Sequence, residues 1–76
     1  MTLVDTPLVP LRRPLTAREQ QIVRLVSHGR TNAQIAAALG IKVPTVKTAL
    51  TSIAAAAGTG ARAGIVGSAF RAGYEL

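Results

Sequence analysis

Apolar residues recur along this chain in four short clusters, each spaced for one face of a helix. Ile22, Val23, Leu25 and Val26 form the first stripe, with Arg18, Gln21 and Arg24 lying away from it. Ile35, Ala36 and Leu39 form the second, and Val46, Leu50 and Ile53 follow at i, i+4, i+7. Ile65, Val66, Ala69 and Phe70 make the fourth and are expected to face inward. The residues between the clusters agree with this division. Thr16 and Glu19 form an S/T-x-x-E capping box with Leu15 placed as a hydrophobic staple, and Gly29 closes that helix. Thr31 and Gln34 can pair in the same way, Gly40 can supply a left-handed stop, and Ile41 pins the turn to the core. The pattern predicts a first helix from Thr16 to Gly29, then helices over 32–39, 44–56 and 62–72. The expected fold is an all-α, compact four-helix bundle with a central helix-turn-helix.

Proline at 44 fits only because it falls in the first turn of the third helix, where its missing N–H has no partner to lose. Gly58 to Gly60 break that helix. Gly64 and Gly67 each cost about 1 kcal/mol relative to alanine inside a helix, so close approach of another helix is expected there. Residues 1–14 hold three of the four prolines and no helical period, which predicts an extended or disordered arm ahead of a folded domain at 15–76. The arm ends in Arg12 and Arg13, and it reads either as a solvated linker or as a segment able to reach a minor groove.

Two short helices joined this tightly allow the second to enter a DNA major groove. With Val46, Leu50 and Ile53 buried, Thr45, Lys47, Thr48, Thr51 and Ser52 face outward. Charge strengthens this reading. Nine Lys and Arg against three acids give a net charge of +6. No acid lies between Gln20 and Ala72, a span that holds Arg24, Arg30, Lys42, Lys47, Arg62 and Arg71. A basic surface on a helix-turn-helix points to a polyanion. With no cysteine there are no disulfides, thiolate metal sites or thiol redox switches, and a reducing cytoplasm is the expected location. The longest uncharged stretch, Thr48 to Ala61, is 14 residues and too polar to cross a bilayer. No signal peptide is evident. Three acids, one histidine and no cysteine provide neither a nucleophile–base pair nor a metal cluster, and no glycine-rich phosphate loop is present. No enzyme activity, cofactor, metal or small-molecule ligand is therefore expected, and His28 reads as a surface residue.

The run LTAREQQIVRLVSHGRTNAQIAAALGIKVPTVKT resembles the C-terminal DNA-binding domain of LuxR/FixJ-type (GerE-like) transcription regulators. The resemblance rests on Leu15–Thr16–x–Arg18–Glu19, Gly29, Asn32–x–x–Ile35–Ala36–x–x–Leu39 and Thr45–Val46–Lys47, and it extends over about residues 15–76. It implies a sequence-specific double-stranded DNA binder that regulates transcription, dimeric through its fourth helix. By the same resemblance Thr45 is a phosphate ligand, Lys47 a phosphate or base contact, and Thr48 and Thr51 face base edges. Thr31 and Asn32 lie at a helix N-terminus, which independently favours a phosphate. This sequence departs from the family pattern in places. Lys42 stands where serine or threonine usually caps the third helix, and it reads as a phosphate contact or as a merely exposed lysine. Pro44 replaces a small residue, Ala49 a frequent histidine, and Ala54 to Ala57 a leucine- and lysine-bearing segment.

Gly60, Gly64, Ser68 and Ala72 recur at intervals of four on the last helix. Such a stripe allows self-association through Gly64, Gly67, Ser68 and Arg71, or close packing on the first helix. The main rival function is a helix-turn-helix used as a protein adaptor to a larger regulator or an RNA polymerase subunit. A third reading is an architectural DNA binder with little sequence preference. The residues hold no receiver or sensing domain, so the chain is expected to be either a small regulator in itself, as Met1 suggests, or part of a larger one.

Overall fold

The computed structural model describes residues 11–76; residues 1–10 of the N-terminal arm lie outside the described residues. Four helices follow in order: α1 (Ala17–Ser27), α2 (Asn32–Leu39), α3 (Val43–Ala57) and α4 (Arg62–Arg71). Among the described residues there is no strand. The all-α bundle with a central helix-turn-helix is therefore the observed fold.

Both expected capping boxes form. The Glu19 amide donates to Thr16 Oγ1 at 3.1 Å and the Thr16 amide to Glu19 Oε1 at 2.9 Å. At α2 the Gln34 amide donates to Thr31 Oγ1 at 3.2 Å and the Thr31 amide to Gln34 Oε1 at 2.9 Å. Each box satisfies two backbone donors that the first turn otherwise leaves open. Leu15 is not a staple in the usual sense. It is buried in the core, and the fourth residue of α1, Gln20, donates its side-chain amide to the Leu15 carbonyl at 3.1 Å.

Gly40 ends α2 in the left-handed region, with φ of 67°. The Ile41 amide then returns to the Ala36 carbonyl at 3.0 Å, and Ile41 packs against the core. This closure sets the angle between α2 and α3. Ile22, Val23, Ile35, Val46 and Ile53 are the largest fully buried side chains, one or two from each of α1, α2 and α3. Ile65 and Ala69 complete the core from α4. Helix α1 packs against the other three, while α4 rests on α1 and α3. The Tyr74 hydroxyl accepts from the Leu15 amide at 2.8 Å, which ties the chain after α4 to the start of α1.

The end of the arm is held on the domain. The Arg12 amide donates to the Ala56 carbonyl at 2.9 Å. Arg13 makes a two-pronged ion pair with Glu19, at 2.7 and 2.8 Å, and donates to Ser52 Oγ at 2.8 Å. This pairing, reinforced by the Thr16 amide, holds the Glu19 carboxyl down at about 2.

Helix α4 corrects two expectations. Phe70, expected inward, is 71% exposed. Ser68, expected on the self-association face, is buried in its own domain. Ile65, Ser68 and Ala69 form the inward line, and Val66 and Phe70 lie one step round the helix from Ile65 and Ala69. Gly64 also has a local explanation. A Cβ there would lie 2.9 Å from the Thr59 side chain, so the turn after α3 closes over α4 at this glycine. At Gly67 the nearest atom is the far end of Arg71, at 3.3 Å, and nothing rigid requires the glycine. No single helix among the described residues is long and apolar enough to cross a membrane; α3 and α4 pass only together, bent by 56°.

Candidate nucleic-acid interface

The expected contact residues fall on two helix starts and one helix face. Thr31 and Asn32 begin α2, Lys42 and Thr45 begin α3, and Lys47, Thr48 and Thr51 continue along α3. All are exposed except half-buried Asn32. The N-terminal amides of a helix carry partial positive charge, and α2 and α3 contain no acidic residue in their first turns.

The hydrogen bonds determine what each side chain still offers. Thr31 Oγ1 accepts the Gln34 amide, so its hydroxyl proton is left to donate outward. Asn32 Oδ1 accepts from Arg62 Nη1 at 2.9 Å, while Arg62 Nη2 donates to the Arg30 carbonyl at 2.9 Å. That contact holds the Asn32 amide oxygen on Arg62 and leaves its NH2 as the remaining donor. Arg62 thus clamps the start of α4 to the start of α2, although the two helix backbones do not pack together.

Lys42 is the N-cap of α3 and makes no side-chain capping bond. Its ammonium stays outside while Val43 and Pro44 begin the helix. The Thr45 amide turns back to the Lys42 carbonyl at 3.0 Å. Thr51 Oγ1 donates to the Lys47 carbonyl at 3.1 Å, so its hydroxyl proton is committed to its own helix. Arg12 Nη1 reaches the Ala55 carbonyl at 3.4 Å, bringing a cation to the end of α3 where the helix itself has only alanines. Arg12 and Arg62 were not among the expected site residues. Their contacts join residues 43 and 30 positions apart, and helical spacing carries no signal for them.

The surface therefore presents polar donors at two helix N-termini, short side chains along α3, and cations around them. Glu19 is the nearest acid in sequence, and Arg13 neutralises it. Of the expected self-association residues, Arg71 is exposed, Gly64 and Gly67 are half-buried, and Ser68 is buried. Beside the inward line of α4 run Ala63, Val66, Gly67 and Phe70 at i, i+3, i+4, i+7, of which Ala63 and Phe70 are exposed and Val66 and Gly67 half-buried.

The sequence model of the luxR family of bacterial regulatory proteins (GerE) matches residues 13–66, from the Arg13 that pairs with Glu19 to the middle of α4. No individual curated protein matches the chain. The family match covers the whole helix-turn-helix, and the chain belongs to the luxR family of bacterial regulatory proteins, whose domain is a DNA-binding helix-turn-helix of transcription regulators.

Proposed function

We propose that the chain binds double-stranded DNA sequence-specifically with α3 in the major groove, and that it does so as a dimer joined through α4. The observation that carries the reading is the acid-free sequence of α2 and α3, whose exposed short side chains share α3 and its cap with exposed Lys42 and Lys47. Thr31, Asn32, Lys42 and Thr45 hold phosphates from the two helix starts, and Lys47 adds a phosphate or base contact. Thr48 and Thr51 meet base edges. Arg62 keeps Asn32 aimed at the backbone, and Arg12 faces the phosphates beside the end of α3.

Self-association rests on the Ala63, Val66, Gly67 and Phe70 side of α4, with Arg71 at its end. Phe70 is an aromatic ring 71% exposed on a helix that buries Ser68. An arrangement that leaves the ring in water and a serine in the core favours a second copy covering the ring. Joining two copies makes the second half-site contact intramolecular.

Phe70→Asp tests this directly. The variant is expected to keep its helical circular dichroism, because the ring contributes little to the core. It should sediment as a monomer and bind a two-half-site operator about 100-fold more weakly, with half-site binding retained. A variant that still sediments as a dimer would remove α4 as the interface.

A further inference from the structure

The line of α3 that faces directly away from the core is Pro44, Thr48, Thr51 and Ala55, at i, i+4, i+7, i+11, and all four are exposed. Their outward chemistry is narrow. Pro44 offers ring methylenes and has no N–H. Thr51 has its hydroxyl proton committed to the Lys47 carbonyl, which leaves a methyl group and lone pairs. Ala55 offers a methyl, and Thr48 a methyl with one hydroxyl. Pro44, Thr45, Thr48 and Ala49 also line a shallow apolar depression at the start of the helix.

No arginine, lysine, asparagine or glutamine stands on this central line. The two-pronged pairs that such residues make with guanine or adenine are therefore not available from it. Lys47 lies to one side, and on the other Ser52 Oγ already accepts from Arg13. In the major groove of unmodified DNA the thymine 5-methyl is the apolar group on the base edges. A row of methyl and methylene groups on a close-fitting helix is complementary to it and to little else there.

We propose that α3 recognises thymine 5-methyl groups, with Pro44, Thr48, Thr51 and Ala55 as the reading line. The inference rests on the major-groove docking proposed above. Discrimination then comes from apolar contact, while the lysines and helix starts supply affinity without sequence preference.

The test uses the full chain. A binding site is first selected from a random duplex pool, and each thymine in it is then replaced by deoxyuridine, which removes only the methyl group. Binding is followed by fluorescence anisotropy at fixed salt. The expected result is a loss of about three- to fivefold per methyl at two or more clustered positions, the scale of one buried methyl group. The salt dependence of binding should not change, because no phosphate contact is touched. Thr48→Ser keeps the hydroxyl and removes the methyl, and it should abolish the thymine-over-uracil preference at one of those positions. Uracil-substituted sites bound as tightly as the thymine sites would overturn the proposal while leaving DNA binding intact, as would enrichment of a site without thymine. Failure to bind any duplex in a salt-dependent way would overturn the docking together with it.

Discussion

Helices α1 and α2 begin differently from α3 and α4. The first two start on reciprocal capping boxes, Thr16 with Glu19 and Thr31 with Gln34. The last two start at Lys42 and Ala61 with no side-chain cap. A missing cap costs roughly 1 kcal/mol of helix stability, so in a domain this small two of them call for a reason. At α4 the surroundings compensate: Thr59 Oγ1 accepts the Ala61 amide at 3.2 Å, and Arg62 bridges to Asn32 and the Arg30 carbonyl. At α3 the outer position holds an exposed lysine instead. The capped helices are the scaffold, and in the reading proposed above the uncapped start of α3 serves a DNA phosphate.

The largest expected effect lies at the α1 cap. Glu19→Ala removes the carboxylate half of the box and the ion pair with Arg13 together, and should cost about 2–3 kcal/mol, or roughly 10–20 °C in Tm. Arg13 is half-exposed and water screens the pair, which keeps the figure from being larger. The sign of the pH dependence follows from the lowered carboxyl. Its contribution is complete above the ordinary value of 4.5 and is lost as pH falls through about 2. Thermal melts should therefore drop between pH 5 and pH 2 in the natural chain, and most of that drop should vanish in Glu19→Ala. An unchanged drop would mean that the Glu19–Arg13 contact contributes little.

A smaller change sharpens the contrast at α3. Lys42→Ser supplies the missing cap and removes the charge, so stability should rise by about 0.5–1 kcal/mol. DNA affinity should fall several-fold in the same variant. Opposite movement of the two quantities is what separates a residue kept for a ligand from one kept for the fold. If both rise, Lys42 is simply a poor cap.

The two pairs of helices also differ in how much of them is legible in the sequence. The α1 and α2 starts are local events of four residues, and pattern alone places them. The inward line of α4 is not local. Ile65 with Ala69 and Val66 with Phe70 are neighbouring i, i+4 pairs, and hydrophobicity alone places all four inward. The surfaces of α1 and α3 decide otherwise, taking Ile65, Ser68 and Ala69. At Gly64 the pattern predicts a close approach but not its partner, because the Thr59 side chain that needs the space comes from a turn whose path no periodicity encodes. At the candidate interface, Thr45, Lys47, Thr48 and Thr51 follow from helix phase and Thr31 and Lys42 from their cap positions, and all six stand exposed. The supporting contacts of Arg62, Arg13 and Arg12 depend on how distant segments meet.

The central claim is that the α2 and α3 surface grips DNA phosphates, and salt dependence tests it most directly. If one copy neutralises about four phosphates, log K should fall against log[salt] with a slope near −3.6, and twice as steeply for a dimer on two half-sites. Lys42→Ser should make the slope per copy shallower by about 0.9, since one phosphate contact is removed. A slope near zero for the natural chain would contradict the account.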